Sequence, residues 1–261
     1  MAMKDSNLTA ERIKQYLAEG KRFDGRKTDE FRDISIECGV SKKAEGSAKV
    51  KIGKTEVWVG VKLGVMSPYS DSPDKGNLMV TVELTPMSGD KYELGPPKFP
   101  AIELGRLVDR GVRESGFIDL SKLCIEKGEK VWMVSVDLIP LNASGNLFDA
   151  AALAGILALK NTKMPKYDGE KVDYKEKTNK GLPLNDLPIS VTVLKIGDYL
   201  IVDPLPEEEE QADARLTVAS LTDGTICAMQ KGGDEPVSAE ETNNMINLAL
   251  KSAKNLRKLV K

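Results

Sequence analysis

The order of apolar and polar positions divides the chain into strand-like and helix-like stretches. Ala48, Val50 and Ile52 alternate with Lys49 and Lys51, Gly53-Lys54 supplies a turn, and Val57, Val59, Val61 and Leu63 resume the period of two. Such alternation predicts a β-hairpin with one buried face. Another strand is expected over residues 77–84, then the Gly95-Pro96-Pro97 loop and a helix with Pro100 near its first turn. Leu104, Leu107, Val108 and Val112 form the buried stripe of that helix, while Glu103, Arg106, Arg110 and Arg113 recur at spacings of three and four on the opposite side. Residues 131–141 alternate again, and Asn142-Ala143-Ser144-Gly145-Asn146 turns the strand into an apolar helix over 147–159.

Residues 9–20 read as a short amphipathic helix, with Ile13, Tyr16 and Leu17 on one side and Gly20 as its stop. Residues 161–186, rich in Lys, Pro, Gly and Asn, have the composition of a connector. Beyond it come a strand over 189–196, a Gly197-Asp198 turn, a strand over 199–202, and two strands flanking Asp223-Gly224, a pair suited to a type I′ hairpin. Ser238 and Glu241 make a capping-box signature for a long last helix. Each half thus reads as strands followed by a helix packed on them, an α+β architecture. The expected parts are an N-terminal helical extension (1–25), a first half (26–165), a connector (166–186) and a second half (187–261).

Composition narrows the chemistry. With 261 residues, 41% hydrophobic and 30% charged, the chain can bury a substantial core. It contains no histidine, which removes His-based acid–base work, Ser-His-Asp and Cys-His nucleophiles, and zincin-type metal sites. Cys38, Cys124 and Cys227 are far apart and in no C-x-x-C pattern, so reduced core thiols are expected. The first residues lack the apolar run of a secretory signal, and 147–159 is shorter than the roughly 20 residues that span a bilayer, so a cytoplasmic protein without a membrane segment is expected. A net charge of −2 supplies no global attraction for a polyanion, so positive charge for any such ligand must be local or come from a partner.

Asp24-Gly25-Arg26, Gly46-Ser47, Gly53-Lys54-Thr55, Ile102-Glu103-Leu104 and Val202-Asp203-Pro204 together resemble RNase PH-type proteins over nearly the whole chain. Phe23-Asp24-Gly25-Arg26, Gly145-Asn146-Leu147-Phe148-Asp149-Ala150 and Ala212-Asp213-Ala214-Arg215-Leu216 are most similar to the non-catalytic RNase PH-like subunits of the archaeal exosome. The resemblance implies an RNase PH-type fold and a hetero-hexameric ring shared with a catalytic RNase PH-like subunit. It also implies RNA-binding cap proteins above the ring and single-stranded RNA as ligand, with no cofactor and no metal. Active members of the family cleave RNA from its 3′ end with inorganic phosphate, which requires a cationic anion pocket, arginines on the RNA backbone and carboxylates.

Measured against those requirements, the chain falls short. Where active members resemble Gly-Ser-Arg or Gly-Thr-Arg at the strand–helix turn, this chain has Asn146, with Asp149 adding negative charge in the first helical turn. Phe99 and Pro100 stand where active members carry an arginine pair. Of two family carboxylates, Asp203 matches one, and Glu209 takes the second position by spacing. Losing one preorganised electrostatic donor costs about 10²–10³ in rate, so no catalytic residue is assigned. Asp203 is expected to be a turn residue bonding local backbone rather than a remnant of the site, and residues 207–210 a solvated acidic loop rather than a metal site. Trp58 and Trp132 are expected to pack rather than stack on bases, and the Lys-rich last helix to present a solvated face. Arg106, Arg110 and Arg113 carry two open readings: RNA phosphate contacts, or a charged face and intersubunit ion pairs with Glu103 and Asp109. An active phosphate-dependent exoribonuclease using Asp203 and Glu209, and a bare scaffold without RNA contact, are the alternatives.

Overall fold

A computed structural model describes residues 6–260. The first half is built on a sheet in which β1 (Ile34–Cys38), β2 (Gly46–Ile52), β3 (Thr55–Met66), β6 (Lys130–Asn142) and β4 (Asn77–Val82) lie side by side in that order, with β5 (Cys124–Glu126) pairing to β6. The hairpin expected at Gly53-Lys54 is β2–β3, with Ala48 opposite Val59 and Val50 opposite Val57. Its alternation has the expected cause: Val57, Val59, Val61 and Leu63 are buried, while the residues between them are partly exposed. β4 runs parallel to β6, and a parallel pair needs a crossover. That crossover carries α2 (Phe99–Glu114), whose buried stripe includes Leu104, Leu107, Val108 and Val112.

The helix that follows β6, α3 (Leu147–Lys160), is buried from Asp149 through Leu159, and a helix apolar all round must be covered all round. It packs on β2 and β3 on one side and on β9 (Ile189–Ile196) of the second sheet on the other. That sheet has the order β10 (Tyr199–Val202), β9, β11 (Ala214–Ser220), β12 (Ile226–Gly232). Leu194, Ile196 and Ile201 meet Ile13 and Leu17 of α1 (Ser6–Ala18), so the N-terminal helix docks on the second half. The last helix, α5 (Ala239–Arg257), covers β9 and β11 with Met245, Ala249 and Ala253. Its capping box forms as expected: Glu241 N–H donates to Ser238 Oγ at 3.2 Å, and Ser238 N–H to Glu241 Oε2 at 2.7 Å.

Three expectations are corrected. Within the connector, β7 (Lys163–Tyr167) and β8 (Val172–Gly181) pair as an antiparallel ribbon. Its exposed face needs few apolar residues, which is why composition suggested irregular chain. Asp223-Gly224 is not a type I′ turn, because only Gly224 has positive φ; Gly224 N–H donates to Leu221 O, and the pairing slips at Ala219/Ser220. The thiols are free but not in the core, since Cys38 is exposed and Cys124 and Cys227 are partly so. Trp132 is buried against Tyr167, and Trp58 is half-buried with its Nε1–H donating to Glu56. No helix among the described residues is long and apolar enough to cross a membrane.

Candidate functional site

The turn from β6 into α3 is where the two halves meet most tightly. Gly145 has φ 78°, and a Cβ there would come within 2.3 Å of Pro204 O, so only glycine admits the second half this close. Asn146 follows at φ 53°, in the left-handed region that asparagine tolerates better than most residues. Facing it, Asp203 also has positive φ, 45°, and is wholly buried. Two strained residues back to back need strong contacts to hold them.

Those contacts are charged. Arg32 grips Asp203 with two parallel bonds, Nη2 to Oδ1 at 2.7 Å and Nε to Oδ2 at 2.9 Å, and its backbone N–H adds a third at 2.7 Å. The same guanidinium donates to Ser144 O at 2.6 Å and to Gly145 O at 3.1 Å. Arg26 donates from Nη1 to Asp203 Oδ2 at 2.8 Å, and Asn146 Nδ2 to Asp203 Oδ1 at 2.9 Å. Burial pushes the Asp203 carboxyl up, but Arg32 and Asn146 outweigh it and hold it below its ordinary value. Asp203 is therefore not the local turn acceptor that the sequence suggested; its partners lie 57 to 177 residues away. Spacing along the chain could not show them.

The acidic run is only half a solvated loop: Glu207 and Glu210 are exposed, whereas Glu208 and Glu209 turn inward. Residues Pro206–Glu209 form one helical turn, α4. Glu208 is buried in an ion pair with Arg22, whose guanidinium also donates to Val202 O and Asp203 O. Glu209 turns toward α3, and its Oε1 accepts from Asn146 N–H at 2.7 Å. The amide at the start of α3 is the donor that a phosphate would seek, and a carboxylate of this chain already holds it. Burial raises the Glu209 carboxyl, opposed by that amide and by Lys91, Arg32 and Arg215.

Asp149 departs from expectation as well. It faces inward, with Thr192 N–H donating to its Oδ1 at 2.8 Å, and burial lifts its pKa to about 8. At neutral pH it is protonated, so it adds no charge to the helix end. Its Oδ2 and the neighbouring Asn146 Oδ1 are both buried without a donor.

A cleft of about 320 Å³ opens outside this junction, walled by Tyr92, Phe99, Pro100 and Phe148 and floored by Glu209 and Arg215. Arg215 is spent on Glu103 and lies 4.4 Å over the Phe148 ring. On α2, Glu103 and Asp109 find their arginines within the chain, Arg215 and Arg113 respectively. Arg113 also donates to Leu78 O at 3.1 Å, and Arg110 makes a long contact to Met229 O at 3.4 Å. Arg106 is exposed and has no ion pair among the described residues. The sequence reading missed Arg22 and Arg32 and gave Arg26 and Glu208 no part in this junction; the signal available was three arginines within eleven residues ahead of the first strand. No group of three or more potential metal-ligating side chains occurs among the described residues.

Two sheet-and-helix halves thus meet across this strand–helix turn. The models of the 3′ exoribonuclease family, RNase PH domains 1 and 2, match residues 30–165 and 186–252, and the chain belongs to that family. It is 51% identical to the exosome complex component Rrp42 of Methanocella arvoryzae, over 92% of this chain and 90% of the relative. With Rrp42 of Methanopyrus kandleri it shares 48% identity over 93% and 91%. Among solved structures it is similar to a chain of the Archaeoglobus fulgidus exosome with RNA bound to the active site, at 44% identity and TM-score 0.90 over 98% of both chains. A chain of an archaeal exosome core follows at 43% identity and TM-score 0.84, over 97% of this chain and 96% of that one.

Proposed function

We propose that this chain is a non-catalytic ring subunit of an RNA exosome of archaeal type. It structures a hexamer with a catalytic RNase PH-like partner, beneath RNA-binding cap proteins, and contributes to RNA binding during 3′-to-5′ degradation in the cytoplasm. The observation that carries the reading is Glu209 seated on the Asn146 amide. Inorganic phosphate would have to displace that carboxylate, and would then find Arg32 and Arg26 committed to Asp203. The charge at the junction is thus already balanced within the chain. The likeness to Rrp42 components over more than nine-tenths of the chain supports the same assembly.

In this reading the contribution to RNA comes from the outer face of α2. Arg106 and Arg110 are one helical turn apart and exposed, and Arg113 lies one turn further on. Guanidinium groups at that spacing suit successive backbone phosphates. The isolated chain, given RNA and inorganic phosphate, is expected to release no nucleoside diphosphate. Mixed with the catalytic partner, it is expected to form a particle of ring size that does. Phosphorolysis by the chain alone would sink the proposal.

A further inference from the structure

At the carboxyl-terminal end of α2, a cleft of about 460 Å³ opens between the loop 67–76, the turn after the helix and Asn185. That volume falls in the range of small-ligand clefts, roughly 300–1,000 Å³. Tyr69 stands on its wall with 53% of its surface exposed. Lys75 is exposed and has no ion pair among the described residues. Arg113 contributes a guanidinium already oriented by Asp109. Asn77 is 2% exposed, with Nδ2 reaching Ser67 O at 3.4 Å and Oδ1 buried without a donor. The acid in the lining, Asp119, is turned to Ser121 and Lys122.

The wall is held by backbone hydrogen bonds of its own. Ser72 N–H donates to Tyr69 O and Lys75 N–H to Ser72 O, so the loop is a chain of turns. Gly76 N–H donates to Leu120 O at 2.8 Å, and a Cβ on Gly76 would lie 2.5 Å from Leu123 Cβ. Glycine thus seats the loop on the body of the fold. The arginine stripe of α2 runs into the mouth: Arg106 and Arg113 are seven residues apart, about 10 Å along the axis.

We infer that this cleft is a base pocket for single-stranded RNA, receiving a nucleobase from a strand whose phosphates lie along Arg106 and Arg110. The inference rests on the RNA-binding role proposed above. Tyr69 supplies the stacking surface, the Asn77 amide an unmet hydrogen-bonding group for a base edge, and Lys75 with Arg113 the flanking charge. The test uses the ring assembled with its catalytic partner and a single-stranded oligonucleotide, with and without abasic sites. Tyr69→Ala is expected to weaken binding about tenfold while Tyr69→Phe preserves it, and abasic RNA is expected not to sense the substitution. A 4-thiouridine oligonucleotide is expected to crosslink to residues 69–77. If Arg106→Ala with Arg110→Ala weakens binding but Tyr69→Ala does not, the pocket is overturned and the RNA-binding role stands. If all three are silent, both fall. Equal losses with Phe and Ala at Tyr69, or the same loss with abasic RNA, would overturn base stacking.

Discussion

Arginines and carboxylates meet in two regions of this molecule with opposite results. At the junction of the halves, Arg22, Arg26 and Arg32 close on Glu208 and Asp203, and every charge is consumed inside the fold. On the outer face of α2, Arg106 stands free and Arg110 makes only one long backbone contact. Burial separates the two outcomes. A desolvated guanidinium must find carboxylate and carbonyl partners, whereas an exposed one can wait for a ligand. On the function proposed above, the junction is structural and the charge offered to RNA lies on α2.

The sharpest way to break this contrast is to remove a charge from each side. Asp203→Ala leaves two guanidiniums and the Asn146 amide without their shared acceptor, and is expected to cost about 3–5 kcal/mol in denaturant unfolding. Arg106→Ala is expected to change stability by no more than about 0.5 kcal/mol. Comparable costs at the two sites would erase the distinction.

Next in size is a pH effect confined to the junction. The folded pKa of Asp149 is raised to about 8 from 3.8, so between those values the folded state holds a proton that the unfolded state releases. Its contribution is therefore fully present below about pH 4 and is lost as pH rises through about 8. Asp203 has the opposite sign: its carboxyl is lowered, and its contribution is lost as pH falls through the acid range. Asp149→Asn is expected to be more stable than the parent at pH 9 by a few kcal/mol, with the difference shrinking toward pH 4. A constant difference across that range would assign the effect to packing and not to the buried proton.

Smallest is the effect on the open side. In the assembled ring, Arg106→Ala with Arg110→Ala is expected to lower the slope of log affinity against log salt by roughly 1.4, about 0.7 per phosphate contact on a single strand. Arg113→Ala is expected to do less, because its guanidinium is anchored by Asp109 and Leu78 O. An unchanged slope in the double variant would leave the chain a scaffold without RNA contact.

The elements were largely legible because their cause is local. Alternation at Val57 to Leu63, the stripe of α2 and the Ser238–Glu241 capping box each follow from neighbours a few residues apart. That Phe99, Pro100 and Asn146 carry no positive charge was legible too, since residue identity needs no tertiary information. The contacts across the junction were not. That Glu209 caps Asn146 across 63 residues, and that Arg32 reaches Asp203 across 171, is decided only when the halves dock. Asp149 read as a charge because sequence carries no measure of its burial.

The arginines ahead of the first strand also bear on how the protein is made. Arg22 bonds Glu208 across 186 residues, and α1 rests on β9 and β10. A ribosome that synthesises from the N-terminus releases these residues first, long before their partners exist. Contacts at such separation carry the largest loop-closure entropy and form late. This segment must therefore wait for residues 203–208 before its long-range contacts form, and then stitches the second half onto the first. A truncation of its first 32 residues is a lesion of assembly, felt in the second half before it is felt anywhere else.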